Sequence, residues 1–248
     1  MRCLAIIPAF NEAGAVGDVV REIQQVQPEV AIVVVDDGSS DATASVAAEA
    51  GAVVLRLPFN LGIGGAVQSG FVYARDHGYD YMVQVDGDGQ HDPGELTKLV
   101  DELEADAELD MVCGSRFVTD TGYLAPISRR TGIHIFAFLL SVIVGQRVTD
   151  PTSGFRLFNR RAIELFARDY PHDYPEVEAV LMLHHHRLRM REVPVVMFAR
   201  GGGVSSISSG KSAYYMIKVL LAIFVGLLRR RPVPEPGDRP AVAAAHNL

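Results

Sequence analysis

Five short apolar runs, each followed by a stretch of helical character or a loop, occupy the first 115 residues. They are CLAII (3–7), AIVVVD (31–36), AVVLRL (52–57), YMVQVD (81–86) and DMVCGS (110–115). Their β-branched content and their length mark them as strands. Helical patterns fill the gaps near 13–26, from Ser39-Ser40-Asp41 to about 50, from the glycine-rich NLGIGG (60–65) to about 77, and from Asp92-Pro93 onward. Ser39 and Ser40 offer N-cap hydroxyls, and Pro93 suits a first helical turn. Strands alternating with helices require a mostly parallel sheet covered on both faces, an α/β, Rossmann-like fold. Ligands of such sheets gather at the carboxyl edge of the strands. Acids stand at that edge here: Asp36 and Asp37 after the second run, Asp86 and Asp88 after the fourth.

The second half is less regular. A helix is expected over 127–144, a loop entering a strand over DPTSGFRLFN (150–159), a helix over 176–187 and a strand over 190–198. Gly201–Gly203 and four nearby serines form a hinge before an apolar, basic helix, and RPVPEPGDRPAVAAAHNL is a Pro-rich tail expected to be poorly ordered. The expected organisation is a globular domain over 1–205, a hinge and amphipathic helix over 206–231, and the tail over 232–248. The apolar runs 133–144 and 219–228 hold 12 and 10 residues. A spanning helix needs about 20. Each is therefore a buried helix or one lying at a membrane surface. Lys211, Lys218 and Arg229–Arg231 flank the second, and no acid occurs from Val193 to Pro234, which favours the membrane surface.

Charge divides the same way. Residues 1–110 carry 20 acids and 5 bases, and residues 111–248 carry 10 acids and 18 bases. One half collects carboxylates that a cation could use, and the other meets something anionic; a general nucleic-acid binder is not implied. Two cysteines exclude a disulfide scaffold, and Cys3 and Cys113, both in strand runs, read as buried free thiols without zinc-site spacing. The amino-terminal apolar stretch is interrupted by Pro8 and Asn11 too early for a signal peptide, so a cytoplasmic protein is expected.

Asp86-Gly87-Asp88 is the sharpest local signal. Two carboxylates at the end of a buried strand need compensation, and a divalent cation, Mg²⁺ or Mn²⁺, supplies it through oxygen ligands. Gln90 adds a neutral oxygen, and Gly87 leaves room for a phosphate. The same residues also suit a solvated Asp-Gly turn. Asp37 could accept from nucleobase N–H groups, or cap a turn. Pro8-Ala9-Phe10-Asn11-Glu12 could wall the same crevice, Phe10 offering a stacking face. NLGIGG lacks the Lys-Ser/Thr of a P-loop and the third glycine of the dinucleotide fingerprint. His184-His185-His186 point in different directions on a helix and read as a partly exposed face. His91 reads as a support for the Asp86 loop, not a ligand.

IPAFNE, VVDDGSSD, NLGIGGAVQSG, VDGDGQHDP, GSR and DPTSGFR occur in the order found in family 2 inverting glycosyltransferases. The chain resembles the branch of dolichyl- and polyprenyl-phosphate mannose or glucose synthases over roughly residues 3–200. The resemblance implies the GT-A fold, a nucleotide-sugar donor and a divalent cation. It places Pro8, Ala9, Phe10, Glu12, Asp37, Gly65 and Gly87 around the substrate, Asp86, Asp88 and Gln90 at the metal and diphosphate, and Arg116 on a phosphate. Arg130 (or Arg129) would meet the acceptor phosphate and Arg200 the diphosphate. Relatives usually show Arg-x-x-Gly-x-Ser-Lys at that last position. Here Ser206 stands in place of the lysine, and Lys211 is a candidate substitute.

The expected reaction is metal-dependent inverting transfer to a polyprenyl phosphate at the cytoplasmic membrane face, with Asp88 catalytic and Asp150 orienting the acceptor loop or pairing with an arginine. Transfer to a hydroxyl would need a base, for which Glu178 or Glu176 is the candidate. A third reading, a non-catalytic nucleotide-binding scaffold, is disfavoured by the intact Asp86/Asp88 pair.

Overall fold

A computed structural model describes residues 2–119, 127–172 and 174–198 together with 218 and 221, and for 127–131 the backbone alone. In chain order the elements are β1 (Cys3–Ala9), α1 (Val16–Val26), β2 (Ala31–Asp36), α2 (Thr43–Glu49), β3 (Val53–Arg56), α3 (Gly62–Asp76), β4 (Tyr81–Gln84), α4 (Leu96–Ala105), β5 (Met111–Ser115), α5 (Ile127–Val144), β6 (Arg156–Asn159), α6 (Arg160–Arg168), α7 (Pro175–His185) and β7 (Met190–Pro194). A 3₁₀ turn over Pro93–Glu95 precedes α4, with the Asp92 carboxylate accepting from Gly94 N–H.

The strands form one seven-stranded sheet in the order β3-β2-β1-β4-β6-β5-β7. All neighbours are parallel except that β6 runs antiparallel to β4 and β5. Alternate residues of each strand feed two cores. Leu4, Ile6, Val33 and Val35 pack with Phe71, Phe158 and Phe166 on one side, and Ala5, Ile7, Ile32 and Val34 pack with Val20, Ile23 and Leu99 on the other. Burial on both faces is why these strands read as unbroken apolar runs. Phe71 meets Phe158, Phe166 and Tyr170 at centroid distances of 5.0, 5.2 and 5.1 Å, joining α3 to α6.

The α/β, mostly parallel architecture is as expected, and several local expectations need correction. Ser39 and Ser40 do not cap α2, which starts at Thr43 with Ala42 in the N-cap position. Ser39 Oγ accepts from Asn11 N–H at 2.9 Å, and Ser40 N–H donates to Asn11 Oδ1 at 2.9 Å, so the two serines stitch the loops after β1 and β2 together. α6 was not expected. It follows β6 with no connecting loop, capped by Asn159, whose Oδ1 accepts from Ala162 N–H at 3.0 Å. Cys113 is buried and Cys3 only half-buried, yet burial pushes both thiols up to about 12, so both are inert at neutral pH. His184, His185 and His186 are half-buried around the end of α7. The hinge, most of the amphipathic helix and the Pro-rich tail lie outside the described residues. Among the described residues no helix is long and apolar enough to cross a membrane.

Candidate active site

The antiparallel direction of β6 determines what meets Asp86. Gln84, the last residue of β4, pairs with Arg156, the first of β6. The loop 150–155 therefore crosses the carboxyl edge beside the Asp86 turn. A Cβ built on Gly154 would stand 2.8 Å from Asp86 Oδ1, so a larger residue there would have to displace the carboxylate. Arg156 is buried and braces the loop from beneath, donating from Nε to Ser153 O at 2.8 Å and from Nη2 to Pro151 O at 3.1 Å.

Asp86 projects from the strand end with its side chain 37% exposed. His91 holds it. Asp86 N–H donates to His91 Nδ1 at 3.0 Å, which leaves the ring proton on Nε2, 3.5 Å from Asp86 Oδ2. His91 is itself buried and packs on Phe155, with ring centroids 5.0 Å apart. The expected supporting role for His91 is what the contacts describe. Asp88 Oδ1 accepts from Gln90 N–H at 3.1 Å, closing a turn in which Gly89 takes a φ of +72°. Gln90 is half-buried, and its carbonyl accepts from Phe198 N–H at 2.9 Å, while His91 bridges Met197. The stretch leading to Arg200 is thus fastened to the Asp86–Gln90 turn; Arg200 itself lies outside the described residues. Gly87 also has a packing role within the fold. A Cβ there would lie 3.3 Å from Pro8 O, so it permits close packing on β1.

One side of the sheet edge is built from the ends of the loops after β1 and β2. Pro8 and Ala9 pair with Val35 and Asp36 inside the sheet. Phe10 follows at 46% exposure, open to stacking. Glu12 is half-buried, and its N–H donates to Thr43 Oγ1 at 2.9 Å. Asp37 is buried, and its two carboxylate oxygens accept from Leu61 N–H at 2.7 Å and Gly62 N–H at 2.9 Å. It caps the start of α3, the second of the two roles open to it from sequence. Gly65 lies inside α3, where a Cβ would come 2.6 Å from Leu61 Cβ, so its smallness serves the helix.

The other side centres on a buried ion pair. Arg116 Nε and Nη2 donate to Asp150 Oδ2 and Oδ1 at 2.6 and 2.7 Å, and Nη2 also reaches Thr152 Oγ1 at 2.9 Å. Asp150 is fully buried and accepts from the Arg116 N–H as well. Behind the pair stands Glu192 of β7, a residue with no sequence signal of its own. Glu192 Oε2 accepts from Thr149 N–H and hydroxyl at 2.7 and 2.6 Å, and Oε1 accepts from Asp150 N–H at 2.9 Å. Burial lifts the proton affinity of Glu192, and those three donors draw part of it back. Glu176 and Glu178 sit half-buried in the first turn of α7. Burial raises the Glu176 carboxyl above the usual range, with the Arg156 guanidinium opposing. Arg130 belongs to the first turn of α5, described by its backbone alone.

Among the described residues, no three His, Cys, Asp or Glu converge as a metal cage. Two accessible carboxylates and a nearby amide suit a different arrangement, in which a hard divalent cation is shared between protein oxygens and substrate phosphates.

The chain matches the model for glycosyl transferase family 2 over residues 4–166. It is 31% identical to polyprenol monophosphomannose synthase of Mycolicibacterium smegmatis over 228 residues, covering 88% of this chain and 85% of that protein. It is 33% identical to undecaprenyl-phosphate mannosyltransferase of Micrococcus luteus over 219 residues, covering 85% and 89%. The fold is similar to that of glucosyl-3-phosphoglycerate synthase from Mycobacterium tuberculosis, solved with Mn²⁺, UDP and glucosyl-3-phosphoglycerate, at a TM-score of 0.69 and 21% identity, covering 89% of this chain and 79% of that one. A strand order interrupted by one antiparallel strand, an aspartate pair at the crossing point and a family match spanning both lead to one conclusion: the chain belongs to glycosyl transferase family 2 and is a glycosyltransferase of the GT-A fold.

Proposed function

We propose that this enzyme moves a sugar from a nucleoside-diphosphate sugar to a polyprenyl phosphate at the cytoplasmic face of a membrane, with inversion at the anomeric carbon. The observation that carries the proposal is the meeting of the Asp86–Gln90 turn with loop 150–155 at one sheet edge. The similarity, over 85–89% of each chain, to synthases named for polyprenyl-phosphate acceptors supports the acceptor class.

An oxygen of the acceptor phosphate attacks the anomeric carbon as the bond to the diphosphate breaks, and the nucleoside diphosphate leaves with the bonding pair. The acceptor is already an anion, so no general base is needed. Asp86, Asp88 and Gln90 would hold Mg²⁺ or Mn²⁺, which when bound neutralises the charge developing on the diphosphate. His91 and Gly154 keep Asp86 aimed at that position. Phe10 and the Pro8–Ala9 strand end form the nucleoside wall. Asp37 contributes by fixing the turn at the start of α3. Arg116 is proposed to stand near a phosphate, with Asp150 fixing its position and offsetting its charge; Asp150, with both oxygens engaged, is a positioning residue. Arg130 and Arg200 are proposed as further phosphate contacts.

A second reading, transfer to a hydroxyl, draws support from Glu176, whose raised proton affinity suits a base. Incubation with Mn²⁺ and a panel of UDP- and GDP-sugars, with and without polyprenyl phosphate, separates the two. The proposal expects release of nucleoside diphosphate that depends on the lipid. Release dependent on a soluble sugar or glycerate acceptor instead would select the second reading.

A further inference from the structure

Beneath the Asp86 turn, one face of the sheet carries polar side chains in an otherwise apolar core. Gln84 and Arg156 stand opposite each other across β4 and β6, so their side chains share a face. It is the face that holds Met82, Cys113 and Phe158. Gln84 is 2% and Arg156 1% exposed. Asp86, two residues beyond Gln84, falls on the same side by the alternation of a strand. Tyr170, which follows α6, is buried in this core, and Val177 and Val180 pack α7 onto it. Glu176 belongs to the first turn of that helix.

Arg156 leaves one donor unspent. Nε and Nη2 donate to the carbonyls of Ser153 and Pro151, and no carboxylate pairs with the guanidinium directly. Nη1 is the one buried side-chain nitrogen or oxygen without a hydrogen-bond partner among the described residues. A guanidinium cannot shed its charge to escape burial, and an unmet donor on a buried cation is costly, so such a group needs a partner. Glu176 is the complementary group. Burial raises its proton affinity, and the Arg156 guanidinium is the first influence to oppose the rise, ahead of its own amide; Asp86 adds to it. Burial likewise raises Tyr170, with Arg156 opposing and Glu176 and Asp86 adding. Asp86, Arg156, Tyr170 and Glu176 are thus neighbours in one interior. A buried donor and acceptor that are close but not in contact are commonly joined by one ordered water.

We infer that Nη1 of Arg156 donates to Glu176 through one bridging water, and that Glu176 is a positioning residue. The link ties the first turn of α7 to loop 150–155, whose Gly154 lies against Asp86. Only the Mn²⁺ measurement below rests on the metal role proposed for Asp86. The test uses the full chain with Glu176→Ala, Glu176→Gln, Arg156→Lys and the combination of Arg156→Lys with Glu176→Ala. A glutamine keeps an oxygen for the water but cannot take a proton as a base. Glu176→Gln should therefore hold kcat within about threefold of wild type, whereas loss of a general base costs roughly 10²-fold or more. Glu176→Ala should raise the half-saturating Mn²⁺ concentration about tenfold, as loss of a group that orients a metal ligand does. Electron paramagnetic resonance with UDP or GDP present reads this, and Glu176→Gln should stay near wild type. In urea, the midpoint of the double variant should fall by less than the two single shifts together. Additive shifts would overturn the inference, and so would a stable Glu176→Gln whose kcat is lost. If Arg156→Lys does not fold, the contrast of alanine with glutamine at position 176 decides alone, equal losses overturning the inference. Wild type that binds no Mn²⁺ would remove the metal reading of Asp86 and leave the unfolding and kcat results to decide.

Discussion

At the scale of single residues, the site depends on carboxylates held by groups far away in sequence. Asp88→Ala should abolish turnover while leaving the fold intact, since Asp88 is half-buried in a turn; retained activity, measured as nucleoside diphosphate release, would contradict its place in the reaction. Glu192 tests the support behind the Arg116–Asp150 pair. A glutamine there offers one acceptor oxygen to three donors, so Glu192→Gln should cost about 1–3 kcal/mol in urea unfolding. It should also lower kcat more than it raises donor KM, because the Arg116–Asp150 pair loses its backing; an unchanged kcat at equal stability would show that this support is irrelevant to turnover. Glu176 makes a pH prediction. Its proton affinity is raised by folding, so between the ordinary glutamate value and the raised one the folded chain binds more protons than the unfolded chain. Stability then falls as pH rises through that window. The melting temperature of Glu176→Gln should therefore gain on wild type as pH rises above the ordinary glutamate value. A constant gap would mean that Arg156 offsets the burial completely.

At the scale of elements, one antiparallel strand makes the crevice. Because β6 starts where β4 ends, loop 150–155 arrives against Asp86, and Gly154 is the residue that lets it in. Gly154→Ala should push the Asp86 carboxylate aside and raise the half-saturating Mn²⁺ concentration roughly tenfold, with overpacking of about 1–3 kcal/mol. Activity titrated against Mn²⁺ reads this directly, and an unchanged midpoint would contradict it. Little of this juxtaposition was legible in sequence. The strand runs of β1 to β5 were legible, since burial on both faces leaves a continuous apolar signature, and so was the clustering of Asp36, Asp37, Asp86 and Asp88 at one edge. The direction of β6 was not, because strand polarity is decided by long-range pairing. α6 escaped notice for want of a loop before it. His91 could be guessed from its neighbours. Glu192 could not, since its bonds to Thr149 span 43 residues and leave no local pattern. Asp37 was open to two roles in sequence, and the backbone amides at the start of α3 show the capping one.

At the scale of the whole molecule, the uneven charge resolves into three tasks. Some acids of the first half converge on the Asp86 edge, while others cover helices. Arg116 and Arg156 of the second half are buried in the loop scaffold, and most bases of the acid-free carboxyl-terminal segment lie outside the described residues. A donor and cation at the carboxyl edge, with the proposed acceptor beside them, is the assembly this distribution favours. The central claim is the chemical fate of the sugar. Wild-type protein, Mn²⁺, polyprenyl phosphate and a nucleotide sugar labelled in the hexose should yield label in the organic phase. That label should be released as free sugar by mild acid, and it should be lost with Asp88→Ala. Label that stays in the aqueous phase on a soluble acceptor, with none in the lipid, would contradict the account.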